Sequence, residues 1–240
     1  MKLPVALLLS AGLVLVSNAA VVAQDVDISG RVKVLEGEHA KPSRDAENVV
    51  VWLSPIDAPA PIRRVAPGHL RLTQHNKSFE PHLLVVPVGA VVEFPNRDLF
   101  FHNVFSLFDG KRFDLGLYEA GTTRNVSFDR PGISYIFCNI HAEMSAVVIA
   151  LDTPYFGVSS RRGDIEISQV PAGRYTMRLW YETALPATLN GMTREISVGS
   201  EQSSLGVLEI PVSATVHAHK NKYGMDYEPL PVDSPGYERP

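Results

Sequence analysis

Cys138, His141 and Met144 stand in the run Cys138-Asn139-Ile140-His141-Ala142-Glu143-Met144, a thiolate, an imidazole and a thioether at C-x2-H-x2-M spacing on one short stretch. Sulfur donors with imidazole suit copper, and two histidines, one cysteine and a long axial methionine make a blue electron-transfer centre. The run supplies one histidine, so a second must come from elsewhere. His102, in Phe101-His102-Asn103-Val104-Phe105, lies about one hairpin upstream and is the candidate. A site of this kind sits between the geometries that copper(I) and copper(II) prefer and changes shape little on gaining or losing an electron. Because the thiolate is the ligand form, metal binding should displace a proton from Cys138.

Such a loop needs a stiff frame behind it. Helical periodicity is nearly absent after the first residues. Instead, short apolar-alternating runs are split by Gly, Pro, Asn and Asp, the pattern of an all-β sandwich. The pattern predicts strands over 26–34, 48–53, 69–73, 83–86, 91–95 and 103–106, then 123–129, 132–137, 145–151, 163–168, 173–181 and 205–211. Residues 58–67, rich in Pro and Ala, read as a loop.

From Phe79 to Asp152, about a third of the chain, the sequence resembles the cupredoxin family, and the loop spacing is most like that of amicyanin. The markers are the turn Val88-Gly89-Ala90, the strand Val91-Val92-Glu93-Phe94, Asn96, His102-Asn103, Gly116, Gly121, Pro131-Gly132, and Tyr135-Ile136-Phe137 leading into Cys138. The resemblance implies a Greek-key β-sandwich holding one type 1 copper through His102, Cys138, His141 and Met144. It also makes Asn103 the side chain that ties the His102 strand to the Cys138 loop, since asparagine is disfavoured in strands without a reason. One departure is Ile140, where amicyanin-type loops place proline. Phe100, Phe101, Phe105, Phe108 and Phe137 read as core or as walls that keep water from the metal.

Two flanking pieces are alike in kind: 28–34 with 48–53, and 164–167 with Val170-Pro171-Ala172-Gly173-Arg174-Tyr175. They resemble the carboxypeptidase-regulatory-like, or transthyretin-like, β-sandwich, whose hallmark is a V-P-x-G-x-Y turn. Two arrangements follow. Either a split sandwich, 25–68 plus 153–212, carries a cupredoxin domain at 69–152, or residues 26–53 supply the first strands of the cupredoxin itself. Residues 213–240, with Pro229, Pro231, Pro235 and Pro240, read as a tail that is mobile or laid along the surface.

At 240 residues the chain can bury a sizeable core, and 45% hydrophobic with 20% charged residues is ordinary for a folded domain. A formal net charge of −4 offers no basic surface for nucleic acid. Residues 1–23 carry Lys2, then an apolar run, then Val21-Val22-Ala23, which reads as a secretory signal peptide cut before Gln24. The alternative is an uncleaved anchor. After cleavage no stable membrane insertion is expected, and the compartment would be the periplasm. There an exposed lone thiol is a liability, and metal ligation explains why Cys138 is the only cysteine.

The reading is an exported blue copper protein, not an enzyme, that passes single electrons to a redox partner protein. Two alternatives stay open: a copper carrier or store, and a carbohydrate- or protein-binding sandwich with an accessory copper site. Multicopper oxidases need several His-x-His pairs, and this chain has one, His217-Ala218-His219; a dinuclear electron-entry centre needs two cysteines. No Gly-x-Ser-x-Gly elbow is present. His217 and His219, near Met225, would favour a carrier only if the tail gathers copper. His39, His69, His75 and His82 read as surface or core residues, and Glu143 as a solvated loop residue.

Overall fold

In the computed structural model the described residues are 25–37, 39–57, 59–60, 70–107, 110–212 and 219–227. Residues 1–23, read above as a signal peptide, nearly all of the 58–67 stretch, His69, Phe108, His217 and the ends of the tail lie outside them. The chain is all-β, and among the described residues there is one helix, the six-residue α1 (Pro186–Gly191). Among the described residues no helix is long and apolar enough to cross a membrane.

Two sheets are built from the chain's two ends. The first runs β14 (Asp164–Val170), β1 (Val26–Glu36), β17 (Ser204–Val212), with β2 (Lys41–Pro42) paired to the end of β1. The second runs β13 (Phe156–Val158), β3 (Val50–Pro55), β15 (Gly173–Trp180), β16 (Arg194–Val198). Alternation in β1 and β14 turns Ile28, Val32, Val34, Ile165 and Ile167 inward, where they meet Val51, Leu53, Met177 and Leu179. The Val170–Tyr175 motif forms the turn between β14 and β15, and the Tyr175 hydroxyl donates to the Pro171 carbonyl at 2.8 Å. β1 pairs with β14, β17 and β2 and with no described strand of residues 70–151.

Residues 70–151 build a separate set. Its larger sheet runs β6 (Leu83–Pro87), β12 (Ser145–Leu151), β11 (Gly132–Phe137), β8 (His102–Ser106), β9 (Phe113–Tyr118). Facing it are β7 (Ala90–Pro95) with β10 (Thr123–Phe128), and the hairpin of β4 (Thr73–His75) and β5 (Ser78–Glu80), which bridges to β7 and the loop after it. Phe79, Phe94, Tyr118, Phe128 and Ile136 fill the interior. Gly89 and Gly121 sit in turns at φ 87° and 77°, where a Cβ would be strained. The Gly121 amide also donates to the Asn96 carbonyl at 2.8 Å.

The two sets share a third apolar layer. β12 is buried on both faces: Ala146, Val148 and Ala150 enter the interior of residues 70–151, while Val147, Ile149 and Leu151 turn outward onto Val50 and Trp180. This explains the unbroken apolar run of β12, which a strand wet on one face would not show. The chain leaves and re-enters the outer sheets at adjacent points, where the Leu53 amide donates to Tyr155 at 2.8 Å and the Thr153 hydroxyl to Leu53 at 2.7 Å. His82 spans the same junction, contacting the Ser145 carbonyl at 3.1 Å and Glu182 at 2.7 Å.

Candidate metal centre

β11 and β12 form an antiparallel hairpin paired to Phe137–Ser145, so residues 138–144 are its loop. Two backbone bonds pinch that loop: Cys138 N–H to Met144 O and Met144 N–H to His141 O, both 3.2 Å. β8 lies beside β11, and its first residue turns inward as His102. The donor atoms of His102, Cys138 and His141 fall within 4.8 Å of one another, the one such cluster among the described residues. Cys138 Sγ is 3.7 Å from His102 Nδ1 and 3.6 Å from His141 Nδ1. At the bond lengths zinc makes, about 2.0 Å to nitrogen and 2.3 Å to sulfur, a trigonal ion holds its N and S donors about 3.8 Å apart. The sulfur-to-nitrogen spacings therefore match those around a single ion, and the three donors converge within its reach. Met144 is fully buried in the same apolar cluster as Cys138.

The protonation states suit ligation. Burial holds the His141 imidazole down to about 4, with the neighbouring His102 working in the same direction. Burial also lowers His102, against the pull of Asp98. Its Nε2 lies 2.8 Å from Asp98 Oδ2, which assigns the ring hydrogen to Nε2 and leaves the Nδ1 lone pair toward the cluster. Burial pushes the Cys138 thiol up, while backbone N–H groups of Ile140, Asn103 and His141 aimed at the sulfur pull it back.

Asp98 is the support that sequence reasoning missed. Its oxygens accept the amides of Asn76 at 2.6 Å and Lys77 at 3.0 Å. Those two residues, at φ 53° and 55°, form the two-residue turn between β4 and β5; positive φ at both positions is what a type I′ turn requires. Burial works to raise Asp98, but the Lys77 amide, His102 and the Asn76 amide bring its carboxyl below the ordinary range. Buried Asn96 shapes the approach, accepting the Asp98 amide at 3.0 Å and donating to the Phe100 carbonyl at 2.8 Å. The only sequence signal was an aspartate four residues before the histidine, and its meaning depends on a turn twenty residues upstream.

Asn103 does not make the side-chain tie expected of it. Successive strand residues face opposite ways, so with His102 turned to the cluster, the Asn103 amide group turns to β9 and donates to Asp114 at 2.7 Å. Its link to the Cys138 loop is the backbone N–H to the sulfur. The aromatic residues divide. Phe100 sets an edge against both imidazoles, 5.1 Å from His102 and 5.6 Å from His141, and Phe105 and Phe137 are buried. Phe101 is instead 55% exposed, turned outward as His102 turns in. Glu143 is exposed, His39 is exposed, and His75 and His82 lie near Glu80 and Glu182, away from the cluster.

The described part of the tail lies against the loop. Tyr227 donates its hydroxyl to the Cys138 carbonyl at 2.6 Å, and burial keeps that phenol well above its usual range. His219 stacks on Phe137 at 4.1 Å between ring centres, with its Nδ1 3.3 Å from the Tyr227 hydroxyl.

No family model matches the sequence, and the comparison with curated proteins found no match. Among solved structures, a Cu-containing nitrite reductase (NirK) from Thermus scotoductus SA-01 is 24% identical, over 41% of this chain and 25% of that one, at a TM-score of 0.34. A reduced amicyanin is 21% identical over 42% of this chain and 98% of its own, also at 0.34. By their own descriptions, the nitrite reductase contains copper and amicyanin has been solved in Cu(I) forms.

Proposed function

We propose that this chain is an exported mononuclear copper protein of the blue type, which passes single electrons between redox partner proteins and is not itself an enzyme. The observation that carries the reading is the convergence of two neutral imidazoles and one thiol within 4.8 Å, with Met144 buried beside them. Bound copper would supply a single reversible electron. His102, with its ring hydrogen committed to Asp98, and His141, held neutral by burial, would offer lone pairs to the ion; Cys138 would bind as the thiolate, its proton released to solvent, and Met144 would add a weak thioether donor. Backbone amides on the sulfur favour the thiolate and hold it in place. In this reading 69–152 is a cupredoxin-type domain carried by a split carboxypeptidase-regulatory-like sandwich, 25–68 plus 153–212, with 1–23 removed on export to the periplasm.

A carrier that hands copper on needs open ligands. Here His102, Cys138 and Met144 are fully buried and His141 is 8% exposed, which favours retention of the metal over transfer. Titration with copper(II), followed by competition with a chelator, tests the choice. A retained, intensely coloured ion supports electron transfer, whereas rapid loss to a mild chelator would favour the carrier.

A further inference from the structure

The segment 219–227 touches three consecutive residues, the last of β11 and the first two of the ligand loop. His219 covers Phe137 with its ring plane 23° from parallel, Tyr227 holds the Cys138 carbonyl, and the Lys222 amide donates to Asn139 Oδ1 at 2.9 Å. The Lys222 ammonium also reaches Asp114 at 2.8 Å, and Asp114 is the acceptor that fixes the Asn103 side chain, whose backbone N–H points at the Cys138 sulfur. One short piece of chain thus reaches the sulfur from two sides, through its own carbonyl and through β8.

We infer that residues 219–227 form a built-in clamp on the ligand loop, and that Tyr227 is a positioning residue for Cys138. This rests on the copper reading above. A carbonyl held by a phenol fixes the plane of the Cys138–Asn139 peptide. That plane sets the directions in which the Ile140 and His141 amides approach the sulfur. The hydroxyl also draws charge from the thiolate's own residue, so its removal alters the sulfur as a donor as well as its position. Tyr223, exposed on the same segment, touches the Lys222 ammonium and not the loop backbone; removing its hydroxyl leaves the ring over that ammonium and the Tyr227–Cys138 bond in place, which makes it the control.

The test is Tyr227→Phe beside Tyr223→Phe in the chain 24–240, read in two states. In the copper-free protein, amide exchange of residues 138–144 reports the clamp without any metal. In the copper-loaded protein, the thiolate-to-copper bands and the rate of loss to a chelator report the positioning. Tyr227→Phe should lose loop protection, change the relative band intensities and release copper about tenfold faster, while Tyr223→Phe matches the wild type in all three. Wild-type protection in Tyr227→Phe overturns the clamp. Lost protection with unchanged bands and release overturns the positioning role. A loaded wild type with no thiolate band brings down the copper reading itself, and is recognised because the band is missing from every variant.

Discussion

Among the described residues, the outer sheets bury two polar side chains, Thr153 and Ser159, each bonded to a backbone carbonyl of its own sandwich. Residues 70–151 bury Gln74, Asn96, Asp98, His102, Asn103, Ser106, Ser134 and His141, with Cys138 beside His102 and His141. Both regions are sheets closed over an apolar centre, and residues 70–151 give up more of their apolar filling, most densely around His102 and Asp98. A buried polar group costs free energy unless it is partnered. Here the partners form a chain from the β4–β5 turn through Asp98 to His102, and from Asp114 through Asn103 to Cys138. The outer sandwich is filled for stability, and residues 70–151 hold donors in place.

That contrast can be broken by removing one group from each region. Cys138→Ser should lose the thiolate-to-copper band entirely while the far-ultraviolet signature of the sheets stays the same; a serine variant that remained blue would contradict the ligand assignment. Leu53→Ala, in the outer core, should cost about 2–5 kcal/mol of stability, measured by denaturant unfolding, yet leave the copper spectrum of the folded protein unchanged. A spectrum altered by Leu53→Ala would mean that the two regions are not separate in function. Asp98→Asn keeps the shape but removes the charge that orients His102, and should weaken copper binding about 10- to 100-fold, with a far smaller change in unfolding midpoint than Leu53→Ala.

Acid sharpens the same comparison. His102 and His141 titrate below the usual histidine value, His141 at about 4, so the folded copper-free chain binds fewer protons there than the unfolded chain. Their contribution is complete above about pH 6.5 and is lost as pH falls from 6.5 toward 4. His82, at the junction, is raised by its bond to Glu182 and acts oppositely: its contribution is present below about 6.5 and lost as pH rises through its folded value. Unfolding midpoints at pH 7 and 5 should therefore drop for the copper-free wild type, and drop less for His141→Gln. The smallest effect expected is Met144→Leu, which should keep copper and raise the potential, because a weak donor to copper(II) is lost; an unchanged potential would place Met144 off the axial position.

Much of this frame was legible before the fold. β12 announced burial on both faces by its unbroken apolar run, and Cys138, His141 and Met144 share one loop by spacing alone. β9 was not legible, because Asp114 and Gly116 are residue types depleted in strands, and its pairing with β8 is broken by a register shift beside Gly116 at φ 68°. β16 hid because it is a short edge strand with Arg194 and Glu195 at its start. Asp98 and Tyr227 were beyond a linear reading for one reason: Asp98 is held by the amides of Asn76 and Lys77, and Tyr227 holds the Cys138 carbonyl, backbone groups that only the tertiary fold brings near. The outward turn of Phe101 follows from the inward turn of His102, a register that composition does not carry.

The measurement that bears most directly on the central claim is the visible and electron paramagnetic resonance spectrum of the chain 24–240 with one equivalent of copper(II). The account predicts an intense red-region absorption with narrow copper hyperfine splitting, both absent from Cys138→Ser. A pale, tetragonal copper signal indifferent to that substitution would contradict it.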